Sequence, residues 1–300
     1  MTEEGTTMEE KFFQPIEEDI RVIHNINSSN IMECPHFHNH YELHFTLSYN
    51  LKFIIANTIF YVPKGSVFAI KTFTPHMTVV PDDAWFERYT VHIRPEVLQE
   101  INRYTNIDFM ELFQSSDGFP ACHIKLKQED IPVFEQVLNR EKDSLKGSYY
   151  GDKTYQQVIL SEILLYLLRV NHEGPQQKNE IYDDENGILA KKIMEYITDN
   201  ITMDLNLELL EKTFYINKYS ISRLFKEYCG VTVNQYITSR RIYLTCELLK
   251  KNQPVFQVCE QSGFSDYGHF IRTFKKHVGI SPKQYALHIR EKETENIENI

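Results

Sequence analysis

His36, His38, Glu42 and His76 could together hold a cation or grip a polar ligand. Side chains alternate between the faces of an extended strand, so positions 36 and 38 share a face and Glu42 has the same parity. Three imidazoles and one carboxylate suit zinc, manganese, iron or nickel. The same groups also suit a plainer role, as the polar rim of a pocket for a small molecule. His40 and His44 crowd the stretch, so parity does not isolate a unique set. We take the four residues as lining a small-molecule pocket, ahead of a metal site and well ahead of a catalytic one. On this reading the chain has no catalytic residue, no metal and no cofactor.

A second chemistry is written twice. "ISRLFKEYCGVTVNQY" occupies 221–236, and "FIRTFKKHVGISPKQY" occupies 270–285. At this offset Arg223/Arg272, Phe225/Phe274, Lys226/Lys275, Gly230/Gly279, Gln235/Gln284 and Tyr236/Tyr285 are identical. In the second copy a short helix over 255–261 turns inward Val255 and Val258, with Cys259 beside them. Gly263 permits a turn with positive φ. Ser265 or Asp266 can cap the next helix, which buries Phe270 and Phe274. Tyr267, Gly268, Ile271, Arg272 and Lys275 then face out. The first copy caps at Asn217, buries Ile221, Leu224 and Phe225, and turns out Lys218, Tyr219, Ser222 and Arg223. It has Glu211 where the second has a small residue and Tyr215 where the second has the turn glycine, so a looser first unit is expected.

Helix, tight turn, capped helix with a basic outer face is the pattern of a helix-turn-helix, whose second helix can enter a DNA major groove. Arginine is the best base reader there, because guanidinium can bond O6 and N7 of guanine together. Two such units joined by a helix over 232–252 could read successive groove segments, which lie ~34 Å apart on one DNA face.

The rest of the chain must position these groups. Its net charge of −10 is unevenly spread. Residues 1–186 carry a balance of −13, residues 187–290 a balance of +6, and the tail a balance of −3. A basic module joined to an acidic body points to nucleic-acid contact by one part only. No run of 18 apolar residues offers a membrane span. The beginning "MTEEGTTMEEKFF" lacks a signal-peptide pattern. The five cysteines are scattered and odd in number, which fits reduced thiols in a cytoplasm.

From about 20 to 95 short β-branched and aromatic runs such as "YELHFTLSY" and "KFIIANTIFYV" predict a β sandwich or barrel. Two helices follow over 128–170. The first has Asp130 and Pro132 at its start and Ile131, Phe134, Leu138 and Leu145 on one face. The second, "TYQQVILSEILLYLLRV", is apolar on most of its circumference and must be covered by protein. We expect the pair to serve as a dimer interface as well. "NHEGPQQKNEIYDDENG" reads as a linker, and everything after it as helical, beginning with Ile188, Ile193, Tyr196 and Ile197 on one face.

"GFSDYGHFIRTFKKHVGISPKQY" resembles the signature of the AraC/XylS family of bacterial transcription regulators, and the resemblance covers roughly 187–290. It implies base-reading positions at Tyr219, Ser222 and Arg223 in the first unit. In the second it implies Tyr267, Gly268, His269, Ile271 and Arg272. "CPHFHNHYELHF", "PKGSVFAIKTFTPH" and "RYTVHI" resemble that family's cupin-type sensor domain, in which a barrel binds an effector and the helices behind it dimerise. The usual glycine after the "YEL" strand is absent, with "SYNLKF" in its place. The H-x-H-x-x-x-E pattern with a distant histidine also resembles metal-binding cupins.

The expectation is thus an α+β multidomain chain. It has a cupin-like β-barrel effector domain at 1–127, a helical dimerisation pair at 128–170 and a linker at 171–187. An all-α DNA-binding domain with two helix-turn-helix units spans 188–290, and an acidic tail 291–300. The expected activity is sequence-specific regulation of transcription from a cytoplasmic homodimer, effector-responsive and activating rather than repressing. Lys218, Lys226 and Lys275 join the base readers as DNA contacts. Promoter DNA, a small-molecule effector and RNA polymerase are the expected partners, and no membrane. The alternative is a metal-dependent cupin enzyme, an oxygenase or isomerase, fused to a helical module.

Overall fold

The structure is a computed structural model. It describes residues 16, 18–27, 35–49, 51–56, 58–80, 85–115, 119–147, 150–173, 185–287 and 289–290. The acidic tail and residues 174–184 of the expected linker lie outside the described residues. The contacts divide the chain into two compact units. One comprises 15–31 and 38–182, the other 1–14, 32–37 and 183–300.

The first unit is built on eight strands. These are β1 (Ile20–Asn27), β2 (Tyr41–Thr46), β3 (Leu51–Ile55), β4 (Thr58–Val62), β5 (Ser66–Ile70), β6 (His76–Val79), β7 (Phe86–Ile93) and β8 (Ala121–Lys125). Antiparallel pairing gives a five-stranded sheet, β1-β7-β2-β5-β8, and a three-stranded sheet, β4-β3-β6. Among the described residues the ladders form two separate open sheets and do not close into one barrel.

Helix α1 (Pro95–Thr105), a 3₁₀ turn over Phe109–Phe113, α2 (Ile131–Ser144) and α3 (Asp152–Glu173) cover one face of the larger sheet. Strand alternation sorts that sheet into two chemistries. Leu43 and Phe45 of β2, Val67 and Ala69 of β5, and Tyr89, Val91 and Ile93 of β7 pack against the helices. The opposite parity carries Glu42, His44, Thr46, Arg88, Thr90 and His92, all buried although polar. A second apolar cluster, including Phe53, Phe60, Phe68 and Phe86, joins the two sheets.

The apolar surface of α3 is mostly consumed inside its own unit. Ile159, Leu160, Ile163, Leu164, Leu167 and Leu168 are buried there with Ile131, Phe134 and Leu138 of α2. A groove of about 210 Å³ remains between α2 and α3, lined by Val133, Val137, Leu165 and Tyr166 among others.

The second unit is helical. It contains α4 (Glu185–Asp199), α5 (Leu207–Phe214), α6 (Lys218–Cys229), α7 (Val233–Lys250), α8 (Val255–Gln261), α9 (Tyr267–Val278) and a final helical segment over 282–287. In α4 the buried positions are Gly187, Ala190, Ile193, Met194 and Ile197, while Ile188 and Tyr196 sit at the margin.

Candidate nucleic-acid interface and buried histidine cluster

Both repeated elements are helix-turn-helix units, and the structure explains why most of the six residues recur. Phe225 and Phe274 are fully buried, and each meets the recurring tyrosine edge-on. The ring centroids are 5.4 Å apart for Phe225–Tyr236 and 5.7 Å for Phe274–Tyr285. Gly230 and Gly279 end α6 and α9 in the left-handed region, at φ 67° and 90°. Their N–H groups donate to the carbonyls of Lys226 and Lys275, a C-terminal geometry that glycine adopts at little cost.

Gln235 and Gln284 close capping boxes. The Gln235 side chain accepts from Thr232 N at 2.8 Å, while Thr232 Oγ1 accepts from Gln235 N at 3.2 Å. Gln284 and Ser281 repeat this at 3.0 and 3.3 Å. Packing and capping therefore account for four of the six identities. The other two, Arg223/Arg272 and Lys226/Lys275, are exposed, and helix packing gives no reason to repeat them.

The turns differ as their sequences do. Gly263 has φ 84° between α8 and α9. A Cβ there would overlap the Ile201 carbonyl oxygen and approach Thr202 Cα to 3.0 Å. In the first unit Tyr215 takes the left-handed conformation itself, at φ 56° and ψ 35°, with its side chain in solvent. Glu211 is put to use: its carboxylate accepts from the backbone N–H of Lys218, at the start of α6, at 3.1 Å. Asn217 adds a cap, accepting from Tyr219 N at 2.9 Å. The first unit thus closes its turn without glycine. In the second, Asp266 is the N-cap of α9 and accepts from His269 N.

Every expected reader faces outward or lies at the margin of the buried face. Tyr219, Arg223, Lys226, Tyr267, His269, Arg272 and Lys275 are exposed, and Lys218, Ser222, Gly268 and Ile271 are half-buried. Their charges are not equally available. Lys218 pairs with Glu208 at 2.7 Å, and Lys226 Nζ donates to the Gly230 carbonyl at 2.9 Å. Arg272 lies back along its helix, with Nη1 3.3 Å from where a Cβ on Gly268 would stand. Gly268 thereby leaves room for the guanidinium, a role that residue type alone did not reveal. Phe256, also exposed, packs on Tyr267 with centroids 5.8 Å apart and was not singled out from the sequence.

The helix-turn-helix domain family matches residues 210–288. Multiple antibiotic resistance protein MarA of Escherichia coli is 31% identical over 101 residues, which is 33% of this chain and 80% of MarA. The chain belongs to the AraC/XylS family. It is a DNA-binding transcription regulator. Regulatory protein PocR of Salmonella typhimurium is 29% identical over 153 residues, covering 46% of this chain and 50% of PocR. Among solved structures, ToxT from Vibrio cholerae covers 90% of this chain and 98% of its own, with 18% identity and a TM-score of 0.38.

The regulator's histidine cluster lies where β2 and β7 face β6. Glu42 of β2 stands directly across from His92 of β7. Its Oε2 lies 2.6 Å from His38 Nε2, 3.0 Å from His76 Nε2 and 3.5 Å from His92 Nε2. Its Oε1 lies 3.3 Å from His44 Nδ1. One ligand atom from each of His38, Glu42 and His76 falls within 4.8 Å of the others, and these three residues, like His36, are buried. His40 turns away, to the Glu18 carbonyl.

Burial pushes His38 and His44 down to about 4 against the pull of Glu42. Burial opposes charge on Glu42 as well. The His76 charge and the contacts with His38, His44 and His76 outweigh it and hold Glu42 well below the usual carboxylate range. His76 is raised, because Glu42 and the Thr74 carbonyl together outweigh its own burial. Arg88, buried and 4.5 Å above the Phe86 ring, is lowered by burial against the attraction of Glu42.

The sequence reading missed His92 and Arg88. The polar parity of "FERYTVHI", with Arg88, Thr90 and His92 alternating against Tyr89, Val91 and Ile93, was the available signal. No helix among the described residues is long and apolar enough to cross a membrane.

Proposed function

We propose that α6 and α9 are recognition helices that enter two successive major-groove segments of promoter DNA. On this reading Tyr219, Ser222, Arg223, Tyr267, Gly268, His269, Ile271 and Arg272 face base edges. Lys218, Lys226 and Lys275 face phosphates. The observation that carries it is the exposed Arg–Lys pair repeated on two capped helices whose other identities serve packing and capping. Lys275, near the end of α9, is the stronger phosphate contact, because Lys218 and Lys226 are partly spent on Glu208 and the Gly230 carbonyl.

The β unit is read as a cupin-type effector domain whose interior polar face, including His38, Glu42 and His76, lines the ligand site. The α2–α3 groove, with Val133 exposed at its edge, is read as the contact between two copies of the chain. The remaining reading is a cytoplasmic homodimer that activates transcription in response to its effector, with RNA polymerase as a partner.

Binding to a selected specific site and to random duplex, each across a salt series, tests the interface. Arg272→Ala is expected to lose ~1–3 kcal/mol on the specific site and to relax preference at one base pair. Lys275→Ala is expected to weaken binding to all sequences and to lower the salt slope by about one. Equal losses on specific and random DNA for Arg272→Ala would assign Arg272 to a phosphate.

A further inference from the structure

We propose that the cluster around Glu42 is a binding site for one first-row divalent transition-metal ion. His38, Glu42 and His76 are its principal ligands, and His92 stands beside them. This goes beyond the regulatory reading and rests on a chemical requirement inside the β unit.

A backbone carbonyl only accepts hydrogen bonds. His38 Nδ1 lies 2.9 Å from the His40 carbonyl, and His76 Nδ1 lies 2.8 Å from the Thr74 carbonyl. Both Nδ1 atoms must therefore carry the proton, which leaves Nε2 of each neutral ring with a bare lone pair. Those two Nε2 atoms converge on a single carboxylate oxygen, at 2.6 and 3.0 Å. That oxygen offers only lone pairs, so something positive must stand between it and each ring.

Two protons would place two imidazolium ions side by side in a buried site, with ring centroids 5.2 Å apart. Taking one unpaired charge out of water is already costly, and one carboxylate cannot fully compensate two. A single divalent ion meets both lone pairs at once and expels the proton it replaces.

The rest of the geometry fits. A tetrahedral ion with ligands at ~2.0–2.2 Å holds its donor atoms roughly 3.3–3.5 Å apart. The His38, His76 and His92 contacts to Glu42 Oε2, at 2.6, 3.0 and 3.5 Å, need only small adjustments to reach this. His92 is buried, its Nε2 faces the carboxylate, and its Nδ1 has no hydrogen-bond partner among the described residues. Metal-bound histidines usually donate their other nitrogen to a carbonyl or carboxylate, which fixes the tautomer and aims the ring. His38 and His76 already do so, and His44 holds the second oxygen of Glu42. His76 comes from the three-stranded sheet while Glu42 and His92 come from the five-stranded one, so a bound ion would pin the two sheets together. Imidazole and carboxylate donors favour zinc, manganese, iron or nickel over calcium. Arg88, buried and attracted by Glu42, is the nearby charge that opposes a cation.

The test uses the full chain. Metal content is measured by mass spectrometry after purification without chelator. The chelated, dialysed protein is then titrated with cobalt(II), followed by its visible absorption. About one equivalent per chain and a saturable cobalt band are expected. Glu42→Gln and His76→Gln are each expected to weaken cobalt binding more than about tenfold, whereas His123→Gln, a half-buried histidine outside the cluster, is expected to leave it unchanged. Folded wild-type protein that neither carries metal nor shows the cobalt band would overturn the proposal, and so would binding that survives both ligand substitutions. DNA affinity measured on the same preparations reports on the regulatory reading separately. The wild-type titration needs no variant to fold.

Discussion

The turn glycine of the second unit sets up a paired test. Replacing Gly263 with alanine holds an L-residue at φ 84°, which costs roughly 1–2 kcal/mol. The new Cβ also overlaps the Ile201 carbonyl, and that carbonyl cannot simply withdraw. It accepts from Arg241 Nε at 3.2 Å, and Arg241 Nη2 holds the Met203 carbonyl at 2.7 Å, so the backbone over 201–203 is clamped. Overpacking against a fixed neighbour adds roughly 1–3 kcal/mol. Gly263→Ala should therefore destabilise the helical unit by about 2–5 kcal/mol and weaken DNA binding with it. Tyr215→Gly acts at the corresponding turn in the opposite sense. It relieves a left-handed non-glycine residue whose side chain is 94% exposed and packs on little. After the entropy cost of glycine, it should be neutral to stabilising by up to about 1 kcal/mol. Denaturant unfolding followed by circular dichroism reads the helices of both units, fluorescence of Trp85 reads the β unit, and the difference between the two transitions isolates the helical unit. A loss below about 1 kcal/mol for Gly263→Ala, or equal losses for both variants, would refute the reasoning.

A pH effect should originate at Glu141 on α2. Its side chain is fully buried, and Oε1 has no hydrogen-bond partner among the described residues. Burial pushes it up to about 8, against a bond from Ser144 and the charge of Arg140. Between about 4.5 and 8 the folded chain keeps a proton that the unfolded chain has released, so stability falls as pH rises through that window. Glu141→Gln should flatten this slope in thermal melts of the β unit across pH 5 to 8; parallel slopes in both proteins would remove Glu141 as the cause. A fragment covering 183–300 should fold as helix and bind the same DNA as the full chain more weakly, since the proposed α2–α3 contact between copies is gone. A folded fragment without DNA binding at low salt would count against modular action.

The repeat was legible in sequence because both copies solve the same local problems with the same residues. A buried Phe needs an edge-on Tyr, a helix end needs a left-handed Gly, and a following helix needs a Thr or Ser with Gln three residues on. Each is a short-range rule that sequence spacing encodes directly. The irregular turn was harder. Glu211 and Tyr215 read as departures from the pattern, yet Glu211 caps α6 and Tyr215 adopts the left-handed conformation unaided. Residue type gives the cost of such a turn, whereas the compensating bond depends on the angle between two helices. The expected cupin-like barrel is not what the β unit forms: its strands make two open sheets among the described residues, and strand β8 is not announced by the sequence. Its five residues pair with β5, 51 or more positions earlier, and no local pattern announces that partnership.

The histidine cluster divides along the same line. His36, His38 and Glu42 lie within seven residues, so strand parity could gather them. His76 could be added only as a distant candidate, because its place is set by pairing of β6 with β3. His92 is invisible to parity arguments on the first stretch, since only the antiparallel register sets it opposite Glu42. Alternation within β7 nevertheless carried half of the information. A strand that is apolar at 89, 91 and 93 and polar at 88, 90 and 92 is ordinary when its polar face meets water. Here both faces are buried, so the polar set must satisfy itself inside the protein. The covering layer turns a routine surface pattern into Arg88 and His92 facing Glu42. That layer is the three-stranded sheet bearing His76, and it converts neighbouring histidines into a closed constellation around one carboxylate.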